Sequence, residues 1–162
     1  PQKNQIFLVD VLANLLPQRP NTILAFVGDG PDRPAVQQHA EKLGIADHVL
    51  FLGQRSDVNR LYQAFDVFCL PSLYEGLGIV GVEAQRAGLP CLFADTITRE
   101  VDVTGTSRFI TIGKTADWTS FLKDVLIGYR MNVDKRMFQN YDICEQSKKI
   151  VSLYNQCVEC GL

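Results

Sequence analysis

The sequence predicts an α/β fold in which helices cover a doubly wound parallel sheet. Strand-like and helix-like segments alternate without interruption from residue 21 to residue 95. The strand-like runs are apolar throughout and do not alternate with a period of two, which is typical of strands covered on both faces. Glycine-bearing turns follow three of these runs. Parallel strands joined by right-handed crossovers account for all three observations.

Each element follows from its own apolar pattern and its own end signal. The first 16 residues carry apolar side chains at spacings of three and four, which predicts a helix. Gly44 and Gly88 are expected to end later helices, because glycine adopts the left-handed backbone that often follows a helix. The predicted strands span residues 21–27, 48–52, 66–70, 90–94 and 109–112. The predicted helices span residues 1–16, 33–43, 58–65, 79–87, 116–129, 134–140 and 142–160.

The composition is that of a globular protein of one domain. Of 162 residues, 46% are hydrophobic and 21% are charged, and the net charge is −2. Scattered basic residues exclude a nucleic-acid groove and a polybasic membrane anchor. No apolar run reaches the roughly 18 residues that span a bilayer. Cys69 and Cys91 lie in apolar strands, which favours a reducing, cytoplasmic compartment. Cys157 and Cys160 have the spacing of half a metal site without a second pair, so no metal is expected.

The glycine-bearing turns predict one cleft. In a doubly wound sheet, ligands bind beyond the carboxyl ends of the strands. The turns at residues 28–31, 53–55 and 72–78 each follow a predicted strand and therefore fall at that edge. Gly28 and Gly30 are weak evidence for phosphate binding, because turn chemistry alone explains such a pair.

The most informative stretch runs from Glu75 to Glu83. Gly76 and Gly78 precede a predicted helix whose first backbone N–H groups have no partner within the helix and can point at an anion. Seven residues separate Glu75 from Glu83, so the two carboxylates would not straddle one bond as a glycosidase pair does. They fit two acceptors for separate hydroxyls of an extended ligand, such as a sugar attached to a diphosphate.

Simpler interpretations stay open beside this hypothesis. Glu83 could form an ion pair with Arg86 on a solvated face. Lys3 could meet a phosphate or be a frayed surface charge. Arg55 and Arg99 lie in loops beside the cleft, where each could face a phosphate or a base or remain solvated.

The stretch at 72–78 (SLYEGLG), continued through Glu83, resembles the E-x7-E signature of retaining glycosyltransferases of the GT-B fold, family 4. The segments at 87–90 (AGLP), 27–31 (VGDGP) and 49–53 (VLFLG) match further positions of that family. The segments at 99–101 (REV) and 109–110 (FI) resemble its capsular and exopolysaccharide branch less specifically. The resemblance covers nearly the whole chain as the C-terminal, donor-binding half, with a Rossmann-like sheet.

The resemblance implies a role for each matching residue. Glu83 would bind the ribose of a nucleotide-sugar donor, and Glu75 would bind hydroxyls of the donor sugar. Lys3 would neutralise the diphosphate, so Glu75 and Lys3 are the expected catalytic residues. The remaining donor-binding residues are expected to be Gly28, Gly30, Gln54, Arg55, Gly76, Leu77, Gly78, Ile79 and Val80, with Gln54 and Arg55 beside the base and residues 77–80 on the sugar and diphosphate.

The resemblance also implies what surrounds this domain. It predicts an upstream first strand, an upstream arginine and an acceptor-binding N-terminal domain outside this chain, so that the chain would be an inactive fragment of a two-domain enzyme. The implied bacterial enzyme uses an NDP-sugar, by family habit a UDP-sugar, without a metal, and builds surface polysaccharide on a glycan or lipid-linked acceptor. It would be cytoplasmic, with peripheral association at the inner face of the membrane left open. Two alternatives are a sugar-nucleotide epimerase and a non-catalytic flavodoxin-like domain.

Overall fold

The computed structural model describes residues 2–159, without the side chains of Asn155 and residues 157–159, and it has the predicted α/β architecture. The strands are β1 (Leu24–Phe26), β2 (Val49–Phe51), β3 (Phe68–Leu70), β4 (Cys91–Ala94) and β5 (Arg108–Ile110). The α-helices are α1 (Gln5–Leu15), α2 (Arg33–Lys42), α3 (Val58–Ala64), α4 (Ile79–Arg86), α5 (Thr115–Lys123) and α6 (Ile143–Glu159). Short 3-10 helices lie at Ala46–His48, Arg99–Val101 and Lys135–Tyr141.

The strands form two parallel sheets. β1 pairs with β2, with Leu24 opposite Val49, and β4 lies between β3 and β5. Within residues 2–159, β1 and β3 share no ladder hydrogen bonds, so the predicted single sheet is divided between the second and third strands. The upstream strand that the resemblance implies stays a prediction.

Apolar packing joins the two sheets where backbone hydrogen bonds do not. All four residues of β4 are buried, and Trp118 of α5 packs edge-on against Phe7 of α1 at a centroid distance of 5.3 Å. Leu24 and Phe26 of β1 contact both the large core around β4 and a smaller core between α1 and α2. The apolar stripe predicted for the first helix therefore anchors both halves of the molecule.

The region after α5 differs from the prediction. The helix expected to reach residue 129 ends at Lys123, and the chain then turns back onto α3. The carboxylate of Asp66 accepts a hydrogen bond from the Gly128 N–H at 2.7 Å, and Gly128 has φ +71°. Arg130 donates to the carbonyls of Gln63 and Phe65 at 2.7 and 2.6 Å. The Gly128 N–H, which a continuing helix would have paired with a carbonyl four residues earlier, is thus bonded to a distant carboxylate, and the Arg130 side chain holds this segment against the end of α3.

The C-terminal segments follow the predicted order with different detail. The expected helix at 134–140 is a 3-10 helix, Lys135–Tyr141, whose first turn is capped by the Asp134 carboxylate on the Arg136 N–H. Cys160 lies outside the described residues, so its spacing from Cys157 is untested by the structure. Across the described part of the chain, every helix is too short or too polar to cross a bilayer.

Candidate functional site

The loop between β3 and α4 is fixed on two sides. On one side, residues at the start of the chain bind its backbone: Asn4 Nδ2 donates to the Pro71 carbonyl at 3.3 Å, and Gln2 Nε2 to the Tyr74 carbonyl at 3.1 Å. On the other side, the Thr96 hydroxyl after β4 donates to the Ser72 carbonyl at 2.7 Å. The carboxyl ends of β3 and β4 and the start of α1 therefore meet at this loop.

Glu75 lies in this loop with two direct partners. Its Oε1 accepts hydrogen bonds from the Ser72 hydroxyl at 2.7 Å and from Lys3 Nζ at 2.5 Å. The Glu75 side chain is 8% exposed, whereas that of Lys3 is 49% exposed. Lys3 is therefore ordered by a carboxylate, and its interpretation as a frayed surface charge is wrong.

The first turn of α4 presents unpaired backbone donors. Gly78 is the N-cap residue with φ +70° and no side-chain cap, a conformation that glycine adopts without steric cost. Within the described chain, the N–H groups of residues 76–80 donate to no protein acceptor. Ile79 and Val80 are 58% and 39% exposed, so the turn is open to a ligand. Unpaired N–H groups and the helix dipole together favour an anion there.

Glu83 lies one turn further along α4 and contacts a tyrosine of α3. The Tyr62 hydroxyl is 3.1 Å from Glu83 Oε2 and 3.2 Å from the Val80 carbonyl. Burial, and secondarily the Glu83 charge, raise the pKa of Tyr62 well above its usual value, so the hydroxyl stays protonated. Within the described residues Glu83 forms no ion pair with Arg86, whose guanidinium lies 5.7 Å from the Phe138 ring centroid. The alternative that Glu83 forms an ion pair with Arg86 is therefore wrong.

The residues expected beside the base lie at the end of the first sheet. Arg55 binds Asp57 through two hydrogen bonds of 2.8 and 2.9 Å, which raise the pKa of Arg55 and lower that of Asp57. Gln54 is exposed at the start of the same loop. No hydrogen bond in the described chain connects this loop to Glu75 or to the start of α4.

The Gly28 and Gly30 turn already uses its backbone donors. The Gly28 N–H donates to the Gly53 carbonyl at 2.8 Å in an antiparallel bridge that joins the ends of β1 and β2. The Gly30 N–H donates to Asp29 Oδ1 at 3.0 Å. These glycines therefore shape the edge of the first sheet, and phosphate binding by their N–H groups would require other contacts to break.

Arg99, the other cleft-side arginine, is held by an aromatic ring. Its guanidinium lies 3.7 Å from the centroid of Phe109, a cation–π contact between the 3-10 helix at Arg99–Val101 and β5. As with Arg55, a contact within the protein orients a loop arginine whose surroundings the sequence did not determine.

Ser72 and Tyr62 are site residues that the sequence pattern does not assign. The pattern places Tyr62 on the inward face of its helix, as the structure confirms, but it assigns no role to the hydroxyl. The signal in the sequence that could have identified this role is a tyrosine at an inward-facing position, because a buried hydroxyl usually has a hydrogen-bond partner.

The described residues contain no group of three or more His, Cys, Asp or Glu placed to hold a metal. The expectation of metal-independent chemistry stays a prediction.

Named relatives match more than half of the chain. EpsF of Bacillus subtilis strain 168, named as a glycosyltransferase, is 43% identical over 100 residues, which cover 62% of this chain and 26% of EpsF. A UDP-Gal:alpha-D-GlcNAc-diphosphoundecaprenol alpha-1,3-galactosyltransferase of Escherichia coli is 32% identical over 98 residues, 59% of this chain and 25% of that protein. The matched part of the chain thus covers about a quarter of the length of these relatives.

Solved structures share the fold. WaaG, a glycosyltransferase involved in lipopolysaccharide biosynthesis, superimposes with a TM-score of 0.67 at 31% identity over 75% of this chain and 34% of WaaG. HepE of Anabaena in complex with UDP-glucose gives a TM-score of 0.78 over 96% of this chain and 46% of HepE. At 24% identity, the HepE likeness concerns the fold alone.

The glycosyl transferases group 1 family matches residues 1–123. This match covers most of the chain and includes β1 to β5, the β3–α4 loop and both glutamates. The chain therefore belongs to the glycosyl transferases group 1 family.

Proposed function

We propose that this chain is the donor-binding domain of a retaining glycosyltransferase. The donor is an NDP-sugar, with UDP as the nucleotide, and the glycosyl group passes to a glycan or lipid-linked acceptor during surface polysaccharide synthesis. The observation that carries the proposal is the open first turn of α4 between two partnered carboxylates. Relatives named for UDP-sugar transfer and for lipopolysaccharide synthesis support it. The family match supports it over an epimerase or a flavodoxin-like domain.

The geometry suggests how the donor would lie. The unpaired N–H groups of residues 76–80 would receive the diphosphate, Glu83 would accept from ribose hydroxyls, and Glu75 from hydroxyls of the sugar. Departure of the nucleoside diphosphate develops negative charge, which preorganised N–H dipoles and a nearby cation stabilise. Lys3 can bind Glu75 and the diphosphate at the same time, because an ammonium has three donors and only one is needed for Glu75. Gln54 and Arg55 would flank the base, which requires the Arg55–Asp57 pair to open or to present its outer edge.

Calorimetric titration of the 162-residue chain with UDP, UDP-glucose and uridine tests the proposal. Glu83→Ala is expected to weaken UDP about tenfold, through loss of about 1.4 kcal/mol of binding free energy. Lys3→Gln is expected to weaken UDP more than uridine, because its target is the phosphate. Glu41→Ala and Lys42→Gln, at exposed positions near the end of α2, are the matched controls. Unchanged affinity in Glu83→Ala would remove Glu83 from the ribose role, and absence of UDP binding by the parent chain would refute the proposal.

Two further parts of the proposal have their own measurements. EDTA is expected to leave UDP affinity unchanged, since the donor is held by N–H groups and Lys3. We also propose that the acceptor is bound by a separate N-terminal domain of a longer, cytoplasmic enzyme, so the isolated chain should bind the donor without transferring sugar. Robust glycosyl transfer by the 162-residue chain would contradict that division.

A further inference from the structure

We propose that the Tyr62 hydroxyl is a positioning group that fixes the Glu83 carboxylate for recognition of the nucleotide ribose. This inference rests on the proposed function, because it concerns how one donor-binding carboxylate is oriented. It adds a residue from a different helix to the site.

The contact aligns one carboxylate oxygen and leaves the other for a ligand. The Tyr62 hydroxyl lies 3.1 Å from Glu83 Oε2. Within the described chain, Oε1 of Glu83 has no protein donor, and the residue as a whole is exposed. An exposed glutamate otherwise samples several rotamers, and ordering it when a ligand binds would cost conformational entropy. A bond that orders it beforehand reduces that cost.

Tyr62 is itself held in place, as a positioning group must be. The residue is 6% exposed, and its ring meets Phe68 of β3 edge-on at a centroid distance of 6.1 Å. The Arg130 guanidinium binds the carbonyls of Gln63 and Phe65, which fixes the end of α3 immediately after Tyr62. Both the ring and the backbone that carry the hydroxyl are therefore anchored.

The hydroxyl has two acceptors, and the carboxylate is the stronger. The Val80 carbonyl lies 3.2 Å from the hydroxyl, so the single proton can be shared between this carbonyl and Glu83. A charged acceptor forms the stronger hydrogen bond, which favours donation to Glu83. Because Val80 belongs to the first turn of α4, the same tyrosine also ties the Glu83 carboxylate to the helix end where the diphosphate is proposed to bind.

The test compares a ligand that has ribose hydroxyls with one that lacks them. If Tyr62 were only structural, Tyr62→Phe would change the affinity for both ligands equally. UDP and 2′,3′-dideoxyuridine diphosphate are titrated against the parent chain, Tyr62→Phe, Glu83→Gln and the double variant. Tyr62→Phe is expected to weaken UDP three- to tenfold and the dideoxy compound less than twofold. In the Glu83→Gln background, Tyr62→Phe is expected to add less than a twofold change. Tyr154→Phe, which removes an exposed hydroxyl from α6, is the matched control.

The outcomes separate this inference from the proposed function. If the parent chain binds no UDP, the proposed function fails and the inference fails with it. If Glu83→Gln weakens UDP while Tyr62→Phe does not, or if Tyr62→Phe weakens both ligands equally, the positioning role is refuted and the function stands. Should Tyr62→Phe not fold, Glu83→Asp withdraws the carboxylate from the hydroxyl without altering the core. UDP affinity within twofold of the parent in Glu83→Asp would overturn the inference.

Discussion

Within residues 2–159, the N-terminal end of α4 has unpaired backbone donors, whereas at its C-terminal end the polar groups of Gln85 and Gly88 are buried and paired. Gln85 is fully buried; its Nε2 donates to the carbonyls of Gly81 and Val101, and its Oε1 accepts from the backbone and hydroxyl of Thr104. Beyond it, the Gly88 carbonyl accepts from the Met131 N–H at 2.8 Å. One helix thus has an open end, where the diphosphate is proposed to bind, and an end that holds the core together, so changes at the two ends should affect different measurements.

The largest loss of stability is expected from Gln85→Leu at the enclosed end. Among the described residues, the Thr104 N–H would lose its only acceptor, and the Val101 carbonyl would keep a single donor, the Val103 N–H. An unpaired buried group costs about 1–3 kcal/mol, and the lost bonds to the Gly81 and Val101 carbonyls add to that cost. We expect the free energy of unfolding to fall by about 3 kcal/mol in urea titrations. Gln38→Leu, at an exposed position of α2, makes the same chemical change without that loss. A decrease below about 1 kcal/mol would contradict the assignment of Gln85 as a structural link.

Gly88→Ala should destabilise the same end by a smaller amount. Gly88 has φ +80°, and an added Cβ would lie 2.8 Å from the Met131 carbonyl oxygen. Backbone strain and this contact together predict a loss of about 2 kcal/mol in thermal or urea unfolding. Gly105→Ala is the matched control, because Gly105 has φ +68° and an added Cβ there would lie within 4 Å of no described residue other than its own chain neighbours. Equal losses in the two variants would show that the Met131 contact adds nothing to the strain.

At the open end of α4, Gly76→Ala should weaken UDP-glucose binding and leave the free energy of unfolding nearly unchanged. Gly76 is not among the positive-φ residues, and no heavy atom of the described residues, other than those of Gly76 and its two chain neighbours, lies within 4 Å of an added Cβ. The free energy of unfolding should therefore change by less than about 0.5 kcal/mol. If the diphosphate approaches the backbone here, the methyl group should weaken UDP-glucose about tenfold in calorimetry, about 1.4 kcal/mol. Unchanged affinity would place the diphosphate elsewhere and remove the functional contrast between the helix ends.

The smallest effect concerns two thiols of the second sheet, the half-buried Cys69 of β3 and the buried Cys91 of β4. Burial raises the pKa of Cys69 to about 12 and also raises that of Cys91, whereas Cys144 is exposed. At about pH 8, brief iodoacetamide treatment followed by peptide mapping should label Cys144 and leave Cys69 and Cys91 unlabelled until the chain unfolds. Because unfolded thiols ionise near about pH 8.5, these two groups should lower stability as pH rises from about 8.5 towards 12. Labelling of Cys91 in the native chain would contradict the enclosure of this region.

The lengths of some elements could not be predicted from local patterns. The alternation of elements and the start of α4 after Gly78 follow from periodicity and glycine placement, which are local properties. Local patterns do not predict the early end of α5, because it depends on hydrogen bonds between distant parts of the chain. Gly128 bonds to Asp66, and Arg130 bonds to the carbonyl of Phe65. Local patterns do not predict the division of the parallel strands into two sheets either, since strand pairing depends on segments that are distant in the chain.

By itself the sequence determined which residues stand beside the proposed donor site, because Glu75, Gly78 and Glu83 belong to one short stretch with a readable pattern. Only the tertiary structure decided what holds the two carboxylates. Lys3 lies 72 residues from Glu75, and Tyr62 lies 21 residues from Glu83. Such pairs form when α1, α3 and α4 pack at the ends of the strands, and the direction of a hydroxyl or an ammonium depends on that packing rather than on its neighbours in the chain.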